Sequence, residues 1–319
     1  MSCGRRRCRD RRGRSRGAAL ITALLLSALA AVMVAGMLWR QWGAIQRETA
    51  ARQSEQARWL LRGSFDWARL ILNEAARTSR VVAFDQPWAV PLAEADLGRF
   101  LTAGHNDTLG RTWLEGRIED AQSRFNLTDL AMFGKPVQDA VQAMQRLCTS
   151  VGVDPALAGV LAKAIAAAQA PGSTALPIRE LQDVARIAPA LRAALPRLAP
   201  YVTVLPRTTP VNVNTASQQV LAAVLGVPSD QVARVLARRK QEHFDNVQDL
   251  QNFLGTSAPT RLNTALIGTG SDFFDVFARV RTGGFEYAER ALIQRLGGFS
   301  QILRAQRIAP WLADPTPRA

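Results

Sequence analysis

Glu119 and Asp120 are the closest the chain comes to a paired-carboxylate site, side by side in "TWLEGRIEDAQSRFNLTDL" (112–130). Two carboxyl groups can share general acid and base work when they converge on one substrate. Here Leu114, Gly116 and Ile118 alternate with Glu115, Arg117 and Glu119, which predicts a half-buried strand. Neighbouring strand residues point to opposite faces, so Glu119 and Asp120 cannot act jointly. His105 and His243 are the only histidines and stand far apart in sequence. Cys148, between Leu147 and Thr149, reads as a small core residue, whereas Cys3 and Cys8 lie in a basic head; neither a metal set nor a disulfide framework results. Asn212 and Asn214 alternate in "VNVNTAS" and could face a ligand. The spacing reads more simply as side-chain bonds from Asn212, Asn214 and Thr215 to nearby backbone that fix entry into the next helix. Arg234, Arg238, Arg239 and Lys240 could track phosphate, but Glu242 and Asp245 follow at once, as on a solvated helix face. With no Ser/His/Asp grouping, phosphate loop or clustered ligands, the chain does not read as an enzyme.

The elements that position these residues begin with "RSRGAALITALLLSALAAVMVAGMLWRQW" (14–42). The run from Ala18 to Trp39 holds 22 positions without a charge. A secretory apolar region is about 7–15 residues long, whereas some 20 residues span a bilayer core of about 30 Å. Eight arginines against Asp10 precede the run, so the head stays cytoplasmic and the rest is exported. That head carries half of the +14 net charge, so the basic balance is largely topogenic and is no argument for nucleic acid. Helical periodicity persists past the membrane in Ala57, Leu61, Phe65, Ala68, Leu72 and Ala75. One helix from Ala18 to about Arg77 is expected, roughly 90 Å long.

Pro87 and Pro91 then break the pattern into loops and short strands. Between 131 and 270 the composition turns to Ala- and Leu-rich helices, expected at 139–153, 155–169, 177–187 and as two more over 215–242, with Thr215 and Ser229 as caps. Strands resume in "FFDVFARVRTGGFEYAERALIQRL" (273–296), with Phe274, Val276, Ala278 and Val280 on one face and Asp275, Phe277, Arg279 and Arg281 on the other. Residues 299–308 offer a third strand. A meander packed on the long helix buries both apolar faces, an all-helical block being inserted between strands.

A basic head, then "RG", an uncharged span and an amphipathic continuation together resemble a type IV prepilin-like leader. The resemblance implies peptidase cleavage after Gly17, with Ala18 as the methylated mature N-terminus. Most pilin-like proteins carry Glu at the fifth mature position, and here it is Thr22. The stretch "TPVNVNTASQQVLAAVLGVPSDQVARVLARRKQEHFDNVQDL" resembles a helix-hairpin-helix of DNA-binding proteins. Its hairpin lacks the second Gly, and Pro228 has no N–H to offer a phosphate.

The succession of "GRIEDAQSRFNL", "APYVTVLPRTTPVNVNTAS" and "FARVRTGGFEYAERALIQRL" is similar to the K-type minor pseudopilins of type II secretion, over essentially the whole chain after Gly13. That family characteristically lacks the fifth-position Glu. The resemblance implies an α+β fold: a pilin-like long N-terminal helix on a small antiparallel sheet, with an inserted all-α domain of SAM-like or helix-hairpin-helix type. The expected layout is a leader (1–17, removed), a transmembrane part (18–39), an amphipathic periplasmic helix (40–77), core loops and strands (78–130), the helical insert (131–270) and C-terminal strands (271–319). The implied work is structural: capping the tip of a periplasmic pseudopilus and helping to start its assembly, for export of folded proteins across the outer membrane. Implied partners are the I- and J-type minor pseudopilins, the major pseudopilin, the inner-membrane assembly platform and the prepilin peptidase. Ala57, Leu61, Phe65, Ala68 and Leu72 are expected as the stripe facing those partners. The implied location is the inner membrane of a Gram-negative bacterium, single-pass, with the bulk in the periplasm. No nucleic acid partner and no cofactor are expected. Some members hold calcium in acidic loops, but the corresponding place here, "AKAIAAAQAPGSTALP", has no carboxylate. The rival reading is a membrane-tethered, competence-type DNA-binding protein built on the helix-hairpin-helix.

Overall fold

The computed structural model describes residues 12–97, 112–170, 172–174, 176–255, 262–282 and 284–313, with side chains from residue 18 onward. His105 lies outside them. The chain falls into two units, Met1–Gln56 and Ala57–Ala319.

Helix α1 runs from Arg12 to Thr78. No proline interrupts these residues, so every turn keeps its backbone bond. The helix begins ahead of the expected Ala18 and includes residues on both sides of the Gly17–Ala18 bond. In the first unit, Leu20, Leu24, Leu29, Met33 and Leu38 are each more than half exposed. Their hydroxyl-bearing neighbours hide their polarity inside the helix: Ser27 Oγ donates to the Leu24 carbonyl at 2.9 Å. Trp39 and Trp42, also exposed, close the apolar run where indoles favour a membrane–water interface. Among the described residues, one helix is long and apolar enough to cross a membrane.

The second unit holds the five-stranded sheet. Its strands are β1 (Leu92–Asp96), β2 (Thr112–Asp120), β3 (Phe273–Thr282), β4 (Phe285–Leu296) and β5 (Phe299–Ile308), in that spatial order. Every pairing in it is antiparallel. β2 and β3 are neighbours although the helical insert separates them in sequence; Asp120 stands opposite Phe274 and Thr112 opposite Thr282. Gly116 makes their close approach possible, since a Cβ there would sit 2.8 Å from the Phe277 carbonyl oxygen.

The expected apolar face of β3 packs as its alternation predicts. Phe274, Val276, Ala278 and Val280 form one buried cluster with Ala57, Leu61, Phe65, Ala68, Leu72 and Ala75 of α1, joined by Trp88. Burying each of the large side chains is worth about 2 kcal/mol. Arg69 Nε donates to the Ser300 carbonyl at 2.8 Å, and the Ser300 hydroxyl meets Asn73 at 2.6 Å, tying β5 to the helix. This corrects one expectation. Ala57, Leu61, Phe65, Ala68 and Leu72 are at most 3% exposed and face the chain's own sheet, so they cannot be the stripe presented to partners. An amphipathic stripe shows that something covers it, and periodicity alone does not say whose surface that is.

The insert contains α2 (Gln138–Ser150), α3 (Ala156–Gln169), α4 (Leu181–Ile187), α5 (Gln218–Leu225), α6 (Ser229–Arg239) and α7 (Val247–Leu254). Its core takes in Phe125, Leu127 and Leu130, which the sequence reading left with the pilin core; the helical body therefore starts soon after β2 rather than at 131. The caps also differ. Ser217, not Thr215, caps α5 by accepting from the Val220 N–H, and Ser229 lies inside α6 with Pro228 at the cap. Thr215 is diverted to a tertiary partner. α7, which the sequence pattern did not pick out, is capped by the Asn246 side chain accepting from Asp249 N–H.

Candidate functional site

The two ends of the insert meet at Asp120. Its carboxylate accepts from the Ser271 hydroxyl at 2.6 Å, the Thr215 hydroxyl at 2.6 Å, the Asn212 amide at 2.8 Å and the Gln122 N–H at 2.8 Å. Asn212 also donates to the Val82 carbonyl at 2.8 Å, adding the segment that follows α1. The buried Arg295 of β4 donates to the Ser271 carbonyl at 2.9 Å. Burial pushes the Asp120 pKa up, partly opposed by these hydrogen bonds. Two words that lie far apart in the sequence, "GRIEDAQSRFNL" and "VNVNTAS", thus touch through one carboxylate. Asn214 makes a reciprocal pair with the Phe244 backbone, at 2.9 Å each way. The asparagines do bond backbone, as expected, but mostly backbone distant in sequence.

Glu119 turns the other way and pairs with Arg117 at 2.7 Å. The adjacent carboxylates therefore stand apart, as strand geometry requires. A second buried acid, Asp275 of β3, is held by Arg124 and, at 2.8 and 2.7 Å, by Arg290. Burial alone would raise its pKa, but the two guanidinium groups hold it below the usual carboxylate range. Sequence reasoning placed Asp275 on the polar strand face without a partner. An acid between Phe274 and Val276 in a strongly apolar strand was the available signal.

The basic stretch of α6 is occupied internally. Arg239 donates to the Val213 and Ala216 carbonyls at 3.0 and 2.6 Å, and burial pulls its pKa down to about 10. Arg238 reaches Asp249 at 3.3 Å and lies over the rings of Phe244 and Phe253. Arg234 bonds Gln231 at 2.8 Å and lies over Phe253. Gly226, at φ 64°, ends α5 in the left-handed conformation, and Pro228 follows. These side chains brace a hairpin instead of lining an open phosphate track.

Cys148 is buried, and its thiol is pushed up to about 11, the opposite of an activated nucleophile. His243 bonds Asp85 at 3.0 Å. Where the resemblance would put calcium, between α3 and α4, the nearby Asp183 is spent on the Arg179 and Glu180 N–H groups, at 2.9 and 3.0 Å. Among the described residues, no group of three or more His, Cys, Asp or Glu side chains could hold a metal ion. Gly17 and Ala18 lie within α1, and the Thr22 hydroxyl donates to the Ala19 carbonyl at 2.9 Å.

An N-terminal helix long and apolar enough to cross a membrane, whose later turns pack on an antiparallel sheet, defines a pilin-like fold, here with a helical body inserted between adjacent strands. The family model described as type II secretion system (T2SS), protein K, matches residues 211–269, the block that also resembles a helix-hairpin-helix. Type II secretion system protein K of Pseudomonas aeruginosa is 28% identical over 313 residues, covering 89% of this chain and 90% of that one. Its namesake from Klebsiella pneumoniae is 26% identical over 335 residues, covering 94% and 99%. A chain in the crystal structure of the GspK–GspI–GspJ complex of the enterotoxigenic Escherichia coli type 2 secretion system superposes with a TM-score of 0.63. It is 18% identical, with 82% of this chain and 99% of that one covered, a likeness of fold. The chain is a homologue of the type II secretion system K proteins.

Proposed function

We propose that the protein is a minor pseudopilin that caps the tip of a periplasmic pseudopilus and helps start its assembly, in complex with I- and J-type minor pseudopilins. The bulk of the chain would be periplasmic, with α1 anchored in the inner membrane of a Gram-negative bacterium. Assembly would also engage the major pseudopilin, the assembly platform and the prepilin peptidase. The complex named for the solved relative supports the choice of partners. The observation that carries the reading is the insertion between β2 and β3. A body of that length has a radius of gyration of about 14 Å, wide against the small helical step by which pilin-like subunits stack. A second copy above the first would collide with it. Thr22 adds to this, because its hydroxyl is spent within its own helix and offers no carboxylate to a neighbouring subunit's amine.

The protein is therefore expected not to polymerise alone. Produced with its peptidase and assembly platform but without other pseudopilins, it should leave no fibres in sheared surface material; with the I- and J-type subunits it should form a 1:1:1 complex. Long fibres of this subunit alone would rule out the cap. The rival DNA-binding reading needs phosphate-facing arginines, whereas Arg238 and Arg239 are engaged within the insert.

Processing is tested separately. The mature protein is expected to begin at Ala18 with a methylated amine, and Gly17→Leu to leave an uncut precursor. Mass spectrometry of the N-terminus decides; a start near Trp39, or an intact Met1 in the wild type, is incompatible with a prepilin leader.

A further inference from the structure

A cleft of about 670 Å³ lies between the sheet and the insert, within the roughly 300–1,000 Å³ typical of small-ligand sites. Phe277 of β3, Ile308 of β5 and Leu312 beyond it supply apolar walls, with Pro200 of the insert among them. Arg117 of β2 lies over the Phe277 ring at 4.1 Å and donates to the Leu312 carbonyl at 3.1 Å, which braces that side. The polar end forms where Phe125–Asn126 runs parallel to Val202–Thr203, since that register sets Arg124 next to Tyr201. Arg290 enters from β4 and gives Nε and Nη2 to Asp275, and Arg124 gives its own Nη2 to the same carboxylate. Among the described residues, no partner takes the remaining Arg290 Nη1, the Arg124 Nε and Nη1, or the Tyr201 hydroxyl, and none of them is sealed from solvent.

The charges around the cleft leave one cation over. Glu119 is matched by Arg117, and Asp120 is enclosed by its hydrogen-bond donors with Arg295 near it. Glu180 and Arg304, outside the lining, offset each other. Arg124 and Arg290 share Asp275 alone, although their side chains are only 17% and 25% exposed. A largely buried guanidinium without a full counter-charge favours an incoming anion. We propose that the cleft binds a small amphipathic carboxylate, its carboxyl group seated among Arg124, Arg290 and Tyr201 and its apolar body against Phe277, Ile308 and Leu312. A single surplus charge suits a monoanion, and planar guanidinium forks match the geometry of a carboxylate. The apolar walls reward a hydrocarbon body, which inorganic anions lack. This site does not depend on which subunits the chain assembles with.

The test uses the full-length chain in lipid nanodiscs, with empty nanodiscs as the blank, and 4-phenylbutyrate as the probe. Calorimetric titration should show saturable binding, and the melting temperature should rise with probe concentration, because the ligand favours the folded chain. The uncharged amide, 4-phenylbutyramide, is expected to bind at least tenfold more weakly, and equimolar inorganic phosphate should not displace the acid. Arg124→Gln removes the surplus charge while Asp275 keeps Arg290, and should weaken binding at least tenfold. Tyr201→Phe removes only a hydroxyl; it should melt with the wild type when free of probe, yet bind about threefold more weakly. Equal binding of acid and amide, displacement by phosphate, absence of saturable binding, or wild-type affinity in Tyr201→Phe and in a folded Arg124→Gln overturns the site and leaves the pseudopilin reading standing.

Discussion

Replacing Asp120 with alanine is expected to lower the stability of the Ala57–Ala319 unit by on the order of 4 kcal/mol, since the Ser271 and Thr215 hydroxyls and the Asn212 amide would each lose the buried carboxylate that accepts from them. Asp120→Asn should lose less. The Ser271 and Thr215 hydroxyls can turn to accept from the new amide, whereas the Asn212 amide cannot. Thermal unfolding of the full chain checks the order wild type, Asn, Ala. An Asp120→Ala protein that melts with the wild type would mean that this carboxylate does not hold the insert to the sheet.

Asp275→Ala is expected to cost about 3–5 kcal/mol, because it strands the Arg124 and Arg290 guanidinium groups in a partly buried site beside the sheet. This contribution has a pH signature. The folded-state pKa of Asp275 is depressed below 3.8, so its stabilisation is present above that value and disappears as the pH falls through the folded pKa. Wild type and Asp275→Asn should therefore differ at pH 7 and converge in strong acid. Asp129 acts with the opposite sign. Burial raises its pKa from 3.8 to about 8, so its contribution is full below 3.8 and is lost as the pH climbs through 8. Stability that instead declines from pH 7 to 5 would contradict the Asp129 assignment.

Much of the molecule was legible in the amino acids because it depends on local rules. A proline-free run with an uncharged first part and a 3.6-residue apolar stripe afterwards specifies α1 whatever surrounds it. Alternation in 273–296 specifies strands and their apolar face, and two lone carboxylates in neighbouring strand positions already exclude joint chemistry. Ala- and Leu-rich segments cut by proline and glycine announce the helical insert, and the family resemblance follows from the order of its words. What lies across that stripe had two readings in the sequence, the chain's own strand meander and a partner's surface. Periodicity shows which residues of α1 seek cover, but cover by the chain's own sheet or by a partner leaves the same pattern, and the packing of Leu61 and Phe65 against Phe274 and Val276 settled it. The cap of α5 moved from Thr215 to Ser217 because Asp120 offers Thr215 a better acceptor than its own helix does. Asp275 is a buried ion-pair centre only because the chain brings Arg124, at the start of the insert, and Arg290, on β4, to the same strand. Local structure follows from energies between residues a few positions apart. The junction at Asp120 arises from contacts between segments far apart in sequence that no local pattern encodes.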